Sequence, residues 1–168
     1  MISKIIRYIT LLVLPAYLLP LFLNVWKIKE TVTTNNYSGN SFKILSIPQG
    51  YLQSGVKFNN GLLVTFGVLA IISLIIASLI VTIFVLNDLK ISKLNSIEKY
   101  FVIALFATTI VAVIIGVIAI IVNANISVTM FGSVAKLCPV SGFYVYVIGG
   151  GVLSTMALLN ALNLFSKK

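Results

Sequence analysis

The sequence predicts an all-α membrane protein: an antiparallel bundle of four transmembrane helices with a small β-prone extracellular loop. Three observations predict it. The chain is 60% hydrophobic and only 9% charged, whereas a soluble domain carries about 25% charged residues to face water. Its apolar residues gather into four runs, 5–26, 61–87, 100–122 and 140–165. Each is long enough to cross about 30 Å of hydrocarbon as a helix of about 20 residues. The runs also lack the alternation of a barrel strand, and only helices or closed barrels satisfy their backbone groups in lipid. A single transmembrane domain then accounts for residues 1–168, with outer loops at 27–60 and 123–139 and an inner loop at 88–99.

The first run follows Lys4 and Arg7. It reads as an uncleaved span, because it is long for a signal peptide and no small-x-small cleavage site follows it. Pro15 and Pro20 each remove a backbone donor and crowd the carbonyl four residues earlier, at Leu11 and Ala16. Two such prolines predict a bent helix, read as a tolerated kink rather than a gating hinge.

The first outer loop is the largest polar element, "TVTTNNYSGNSFKILSIPQGYLQSGVKFNNG". Three strand-like pieces stand out, Glu30–Thr34, Ser41–Ile47 and Tyr51–Phe58, separated by turn signals at Asn35–Asn40 and Pro48-Gln49-Gly50. A small antiparallel sheet of that kind is marginal alone in water. It has to lean on the second outer loop or on a partner, and Ile44, Leu45, Ile47, Tyr51 and Leu52 supply an apolar surface for doing so.

The second and third runs carry no charge. Between them, Lys90 and Lys93 suit the C-terminal end of a helix. Asn95 followed by Glu98 makes a capping-box-like start to the next helix. No catalytic loop is visible in "LKISKLNSIEK".

The fourth run contains Gly149, Gly150 and Gly151 together, although glycine costs a helix about 1 kcal/mol against alanine. In lipid, helices associate by close van der Waals packing that small residues permit. Gly150, Ser154, Ala157 and Ala161 form such a seam, spaced four, three, four, which suits a left-handed crossing near +20°. Ala104, Thr108, Ala112 and Gly116 form another, each four apart. Four residues turn about 400°, so this ridge drifts around its helix and suits a steeper, right-handed contact. The second run adds Gly67, Ala70, Ser73 and Ala77. Two readings stay open at this point: the seams close one four-helix bundle, or one of them faces a separate chain. Asn160 and Asn163 are further candidates for hydrogen bonds between helices.

Orientation follows from lysine and arginine density near the span ends. Lys4, Arg7, Lys90, Lys93, Lys99, Lys167 and Lys168 lie on the side of both termini; Lys27, Lys29, Lys43, Lys57 and Lys136 lie on the other. Both termini are therefore expected in the cytoplasm, with the protein in the plasma membrane. Two sequons, at Asn36 and Asn125, fall in the outer loops and are candidate glycosylation sites. Aromatic residues are expected at both interfaces: Tyr8, Tyr100, Phe101 and Phe165 at the inner, Trp26, Phe58, Phe143 and Tyr144 at the outer.

The composition also bounds the chemistry. The chain has no histidine, one cysteine (Cys138) and three carboxylates, Glu30, Asp88 and Glu98, at span ends on different sides. The reading is that there are no catalytic residues, no cofactor and no metal site, and that the protein is not an enzyme. No ionisable group lies deep in a run, which argues against a proton relay. The net charge of +9 sits at the flanks of apolar runs rather than in a stripe, so nucleic acid is not an expected partner. Membrane lipid is expected, together with other membrane subunits or further copies of the chain.

The layout resembles the claudin-like four-pass proteins: termini inside, a larger strand-prone first outer loop, a short second one, and a glycine-rich fourth span, "GFYVYVIGGGVLS". The resemblance implies lateral assembly and contact through the outer loops. It departs from the family's Gly-Leu-Trp motif and paired cysteines, since this loop has "GYLQSG" and no cysteine, and no family residue is carried over. The expected function is a non-enzymatic structural or accessory subunit of a larger membrane complex. A small oligomeric channel or transporter is the first alternative, and a membrane component of a lipid- or quinone-linked enzyme complex is the second.

Overall fold

Apolar side chains that recur every three or four residues, with no charge between them, leave the helix as the one local structure able to hide its own backbone from lipid. The computed structural model follows that rule and describes residues 2–32, 35–44, 60–89, 95–124, 126–128 and 133–165. The chain is mostly helical. Three helices, α2 (Asn60–Asp88), α3 (Asn95–Val122) and α4 (Ser141–Phe165), are long and apolar enough to cross a membrane. The first, α1 (Ile2–Leu18), is shorter and continues into a 3-10 turn at Leu19–Leu21.

The first run therefore does not stay helical through residue 26. Pro15 is carried inside α1, but Pro20 cannot donate to the carbonyl of Ala16, and the ladder ends there. The amides of Phe22 and Leu23 both turn back to the Leu19 carbonyl, at 2.9 and 3.0 Å. The chain then leaves as strand β1 (Asn24–Val32), which pairs with β2 (Asn35–Lys43). The expected turn at Asn35–Asn40 is instead part of β2, since Val32 already pairs with Asn35. The third expected strand, Tyr51–Phe58, lies outside the described residues.

The second outer loop is not merely a support. It supplies β3 (Ile126–Val128) and β4 (Ser133–Pro139), and β4 pairs antiparallel with β1, giving one four-stranded sheet in the order β2-β1-β4-β3. These strands carry little local signal, because "SVAKLCP" mixes a lysine and a proline into a short apolar stretch with no clean alternation.

The sheet sits on one end of the helices. The Leu137 amide donates to the Asn123 carbonyl at 3.0 Å, and the Val140 amide donates to Val25 at 3.1 Å. A Cβ on Gly142 would stand 2.5 Å from the Asn24 carbonyl oxygen, so only glycine lets α4 begin that close to β1. Below the sheet, α2 packs on α3, α3 on α4 and α4 on α1, with a lighter contact from α1 to α2.

Burial reveals the packing face of each helix. On α3 it includes Glu98, Val102, Leu105, Thr109, Ala112, Gly116 and Ala119, and the stripe is continued by Asn123 just past the helix, a three-four repeat from Val102 onward. On α2 it includes Phe66, Ala70, Ser73, Ala77, Ile80 and Phe84; on α4, Phe143, Tyr146, Gly150, Leu153 and Ala157. All three are heptad-like stripes, the pattern of shallow left-handed bundle packing. This corrects the expected four-residue ridge on α3: Ala112 and Gly116 lie on the buried stripe, while Ala104 and Thr108 are only half-buried, because a ridge that gains about 40° per step walks off a nearly straight seam.

Candidate functional site

Two features of the interior stand out, one directly beneath the sheet and one a little deeper among the helices. At the deeper one, the C-terminal end of α1 brings Tyr17, the middle of α2 brings Ser73 and the second turn of α4 brings Tyr146, all fully buried. The Tyr17 and Tyr146 hydroxyls lie 2.9 and 2.8 Å from Ser73 Oγ, and Ser73 Oγ donates to the Ala70 carbonyl at 2.8 Å. A serine hydroxyl has one proton and two lone pairs. With the proton given to Ala70, both lone pairs accept, so each tyrosine must donate. The donor and both acceptor positions of Ser73 are then used. The two rings also stack, with centroids 5.5 Å apart.

The glycines make room for this node. A Cβ on Gly150 would stand 2.8 Å from Tyr17 Cε2 and 2.9 Å from Thr109 Cγ2; one on Gly149 would meet Tyr17 Cδ2 at 3.4 Å and its Cα at 3.5 Å. The backbones of α1 and α4 thus approach at the level of the tyrosine. At Gly151 nothing lies within 4 Å; it is exposed beside Ile148, Val152 and Thr155.

Beneath the sheet, Trp26 packs against Phe66 at 5.2 Å and Phe143 at 4.9 Å, and Phe66 reaches Tyr146 at 5.7 Å. The aromatics therefore form one connected column from the sheet down to the tyrosine node. Gly116 of α3 borders it, since a Cβ there would stand 2.8 Å from Phe143 Cε2 and 3.0 Å from Phe66. This overturns part of the expected aromatic belt. Trp26 and Phe143 face inward and are almost fully enclosed, whereas Tyr8, Tyr100 and Tyr144 are exposed. Phe58 lies outside the described residues.

The remaining candidates are placed as follows. Ser154 and Ala157 are buried, but the Ser154 hydroxyl donates to its own helix, to the Gly150 carbonyl at 2.6 Å. Thr108 does likewise to Ala104 at 2.8 Å. Such back-bonding within a helix is the common fate of a membrane hydroxyl, and Ser73 differs in also accepting from two other helices. Ala161 lies in α4 and Asn36 in β2, opposite Thr31; Asn125 lies outside the described residues. Cys138 is a free, half-buried cysteine of β4.

Three functional groups escaped the sequence reading. Tyr17 and Tyr146 were legible only as polar-tipped aromatics far inside apolar runs, where each needs a hydrogen-bond partner. Glu98, taken as a helix-end carboxylate, is fully buried and accepts from Asn87 Nδ2 at 3.1 Å. Among the described residues, two enclosed atoms, Trp26 Nε1 and Thr109 Oγ1, have no hydrogen-bond partner. Among the described residues no three His, Cys, Asp or Glu side chains gather as metal ligands.

The fold and this interior define a class: an integral membrane protein, with three helices long and apolar enough to span and a small sheet at one end. Comparison with protein-family models, curated proteins and solved structures finds no match for the chain.

Proposed function

We propose that the chain is a four-pass, non-enzymatic accessory subunit of a larger membrane complex, which presents its sheet to a partner protein on the outer side. On this reading α1 is the fourth span, running beside α4 through the Tyr17–Gly149–Gly150 contact. Both termini are cytoplasmic in the plasma membrane, in the layout of the claudin-like four-pass proteins.

The observation that carries the reading is the sheet itself. Helices in lipid satisfy their own backbones and need only a few residues to turn. Here the connection from Leu21 to Asn60 and that from Val122 to Ser141 contribute strands to a single sheet fastened by Trp26, Leu137 and Gly142. Long connections of this kind are ordinarily functional. The tyrosine node and the aromatic column pack the sheet-proximal part of the interior, which supports a packing role there over a solute path or an acid–base site.

Gently extracted full-length chain, examined by native mass spectrometry, is expected to carry a second protein at fixed stoichiometry. A lone, stable monomer would overturn the subunit reading. Flux through liposomes containing this chain alone would overturn it in favour of a channel.

A further inference from the structure

We propose that the face of the sheet carrying Lys27, Lys29 and Lys136 binds an acidic, extended segment of a partner protein; this rests on the reading of the sheet as a docking platform. The ladder between β1 and β4 runs without a slip from Trp26↔Pro139 to Thr31↔Val134. Directly opposite residues of a ladder share a face, and successive residues alternate between faces. Lys29 is directly opposite Lys136, and Lys27 is two residues along the same strand, opposite Cys138. The three lysines therefore occupy positions on one face. Trp26, Glu30 and Leu137 occupy the other.

Burial agrees with this division. Trp26 and Leu137 are enclosed against the helices, Lys136 is exposed and Lys27 is half-buried. Like charges placed directly opposite destabilise a ladder, and among the described residues no acidic register partner stands against Lys29 or Lys136. Glu30 is the single acidic residue in the four strands, and its register partners, Ala135 and Tyr37, place it on the helix-facing side. On the lysine face β2 contributes Ser38 and Ser41 as register partners of Lys29 and Lys27. Three cations with no acid among them are complemented from outside the chain.

Spacing selects the form of the partner. Residues two apart on a strand repeat at about 7 Å, and directly opposite residues stand about 5 Å apart. Carboxylates two apart on an extended peptide repeat at that same distance of about 7 Å, so two of them span Lys27 and Lys29 while Lys136 bridges beside them. Headgroups of the protein's own membrane are disfavoured, because the helices are seated on the opposite face.

The test uses the full chain in a nanodisc of zwitterionic lipid and, as probe, a synthetic peptide of alternating Glu and Thr. The expected result is binding that weakens as salt is raised and falls by about tenfold or more in the Lys29→Gln/Lys136→Gln double variant. Lys29→Glu sets opposite charges across the ladder; it is expected to raise the thermal midpoint of the free protein while removing peptide binding. Peptide affinity unchanged in both variants, or equal affinity for an alternating Lys-Thr peptide, overturns the proposal. So does capture of phosphatidylserine vesicles where the Glu peptide is not bound. The assay contains no partner subunit, so its failure leaves a co-purifying subunit standing, and a lone chain in native mass spectrometry leaves peptide binding standing.

Discussion

The inward and outward faces of α4 diverge within a single residue step. At Gly150 an added Cβ would press on Tyr17 and Thr109 at 2.8 and 2.9 Å, while at the next residue, Gly151, it would meet nothing within 4 Å. A helix turns about 100° per residue, enough to pass from the packed side to the exposed side. Both positions carry the same propensity cost of about 1 kcal/mol. At Gly150 that cost is offset by seating a tyrosine ring whose hydroxyl completes a three-helix hydrogen-bond node. At Gly151 no contact with the described residues offsets it. The comparison teaches that a run of glycines is not one device: each is defined by the neighbour that its missing side chain admits.

Substitutions can break or sharpen that contrast. The largest effect is expected at Gly150→Leu, which drives a branched side chain into Tyr17 and Thr109 and should cost about 3 kcal/mol or more. The check is a lowered thermal midpoint in mild detergent, and a midpoint equal to that of the native protein would dissolve the contrast. Gly116→Ala is expected to follow at about 1–2 kcal/mol, since the clash with Phe143 and Phe66 outweighs the gain in helix propensity. It should also shift the emission of Trp26, the sole tryptophan, which packs edge-on against Phe66 and tilted against Phe143.

Ser73→Ala leaves two buried tyrosine hydroxyls without their acceptor and is expected to cost about 1–2 kcal/mol. A double-mutant cycle with Tyr17→Phe then tests the node directly: coupling energy should be measurable, and strict additivity would refute the shared hydrogen bond. Thr109→Val, which removes an enclosed hydroxyl with no partner among the described residues, is expected to raise stability by about 1 kcal/mol. Gly151→Ala should be the mildest, gaining up to about 1 kcal/mol. Loss of a co-purifying subunit in that last variant would instead mark the outward face as a protein contact.

How much of this was legible beforehand differs along the chain. The ends of α2 and of α4 fall within a residue or so of the apolar runs, because an uncharged stretch of that length has no other stable form in lipid. The expected end of the first span lies eight residues beyond the end of α1, as "LPLFL" continues the apolar run past Leu18 but carries Pro20, and the chain then pairs as strand from Asn24. The small-residue seams were visible as composition, and Gly150, Ser154, Ala157, Ala112 and Gly116 are all enclosed. The expected division between two crossing geometries was not kept, since α3 buries a three-four stripe. The β1–β4 pairing joins residues more than a hundred positions apart, and a short strand with such a distant partner leaves little local trace.

By itself the sequence determined the solvent and the element type: too few charges to face water, runs long enough to span, hence helices in lipid. It could not determine which side of each helix looks inward. α2, α3 and α4 are apolar around their whole circumference, so no polar face marks the outside as it does on a soluble helix. That choice was made by shape and hydrogen bonding between distant segments. Tyr17 and Tyr146 converge on Ser73, glycines yield to their rings, and the strands of two separate connections close over the end.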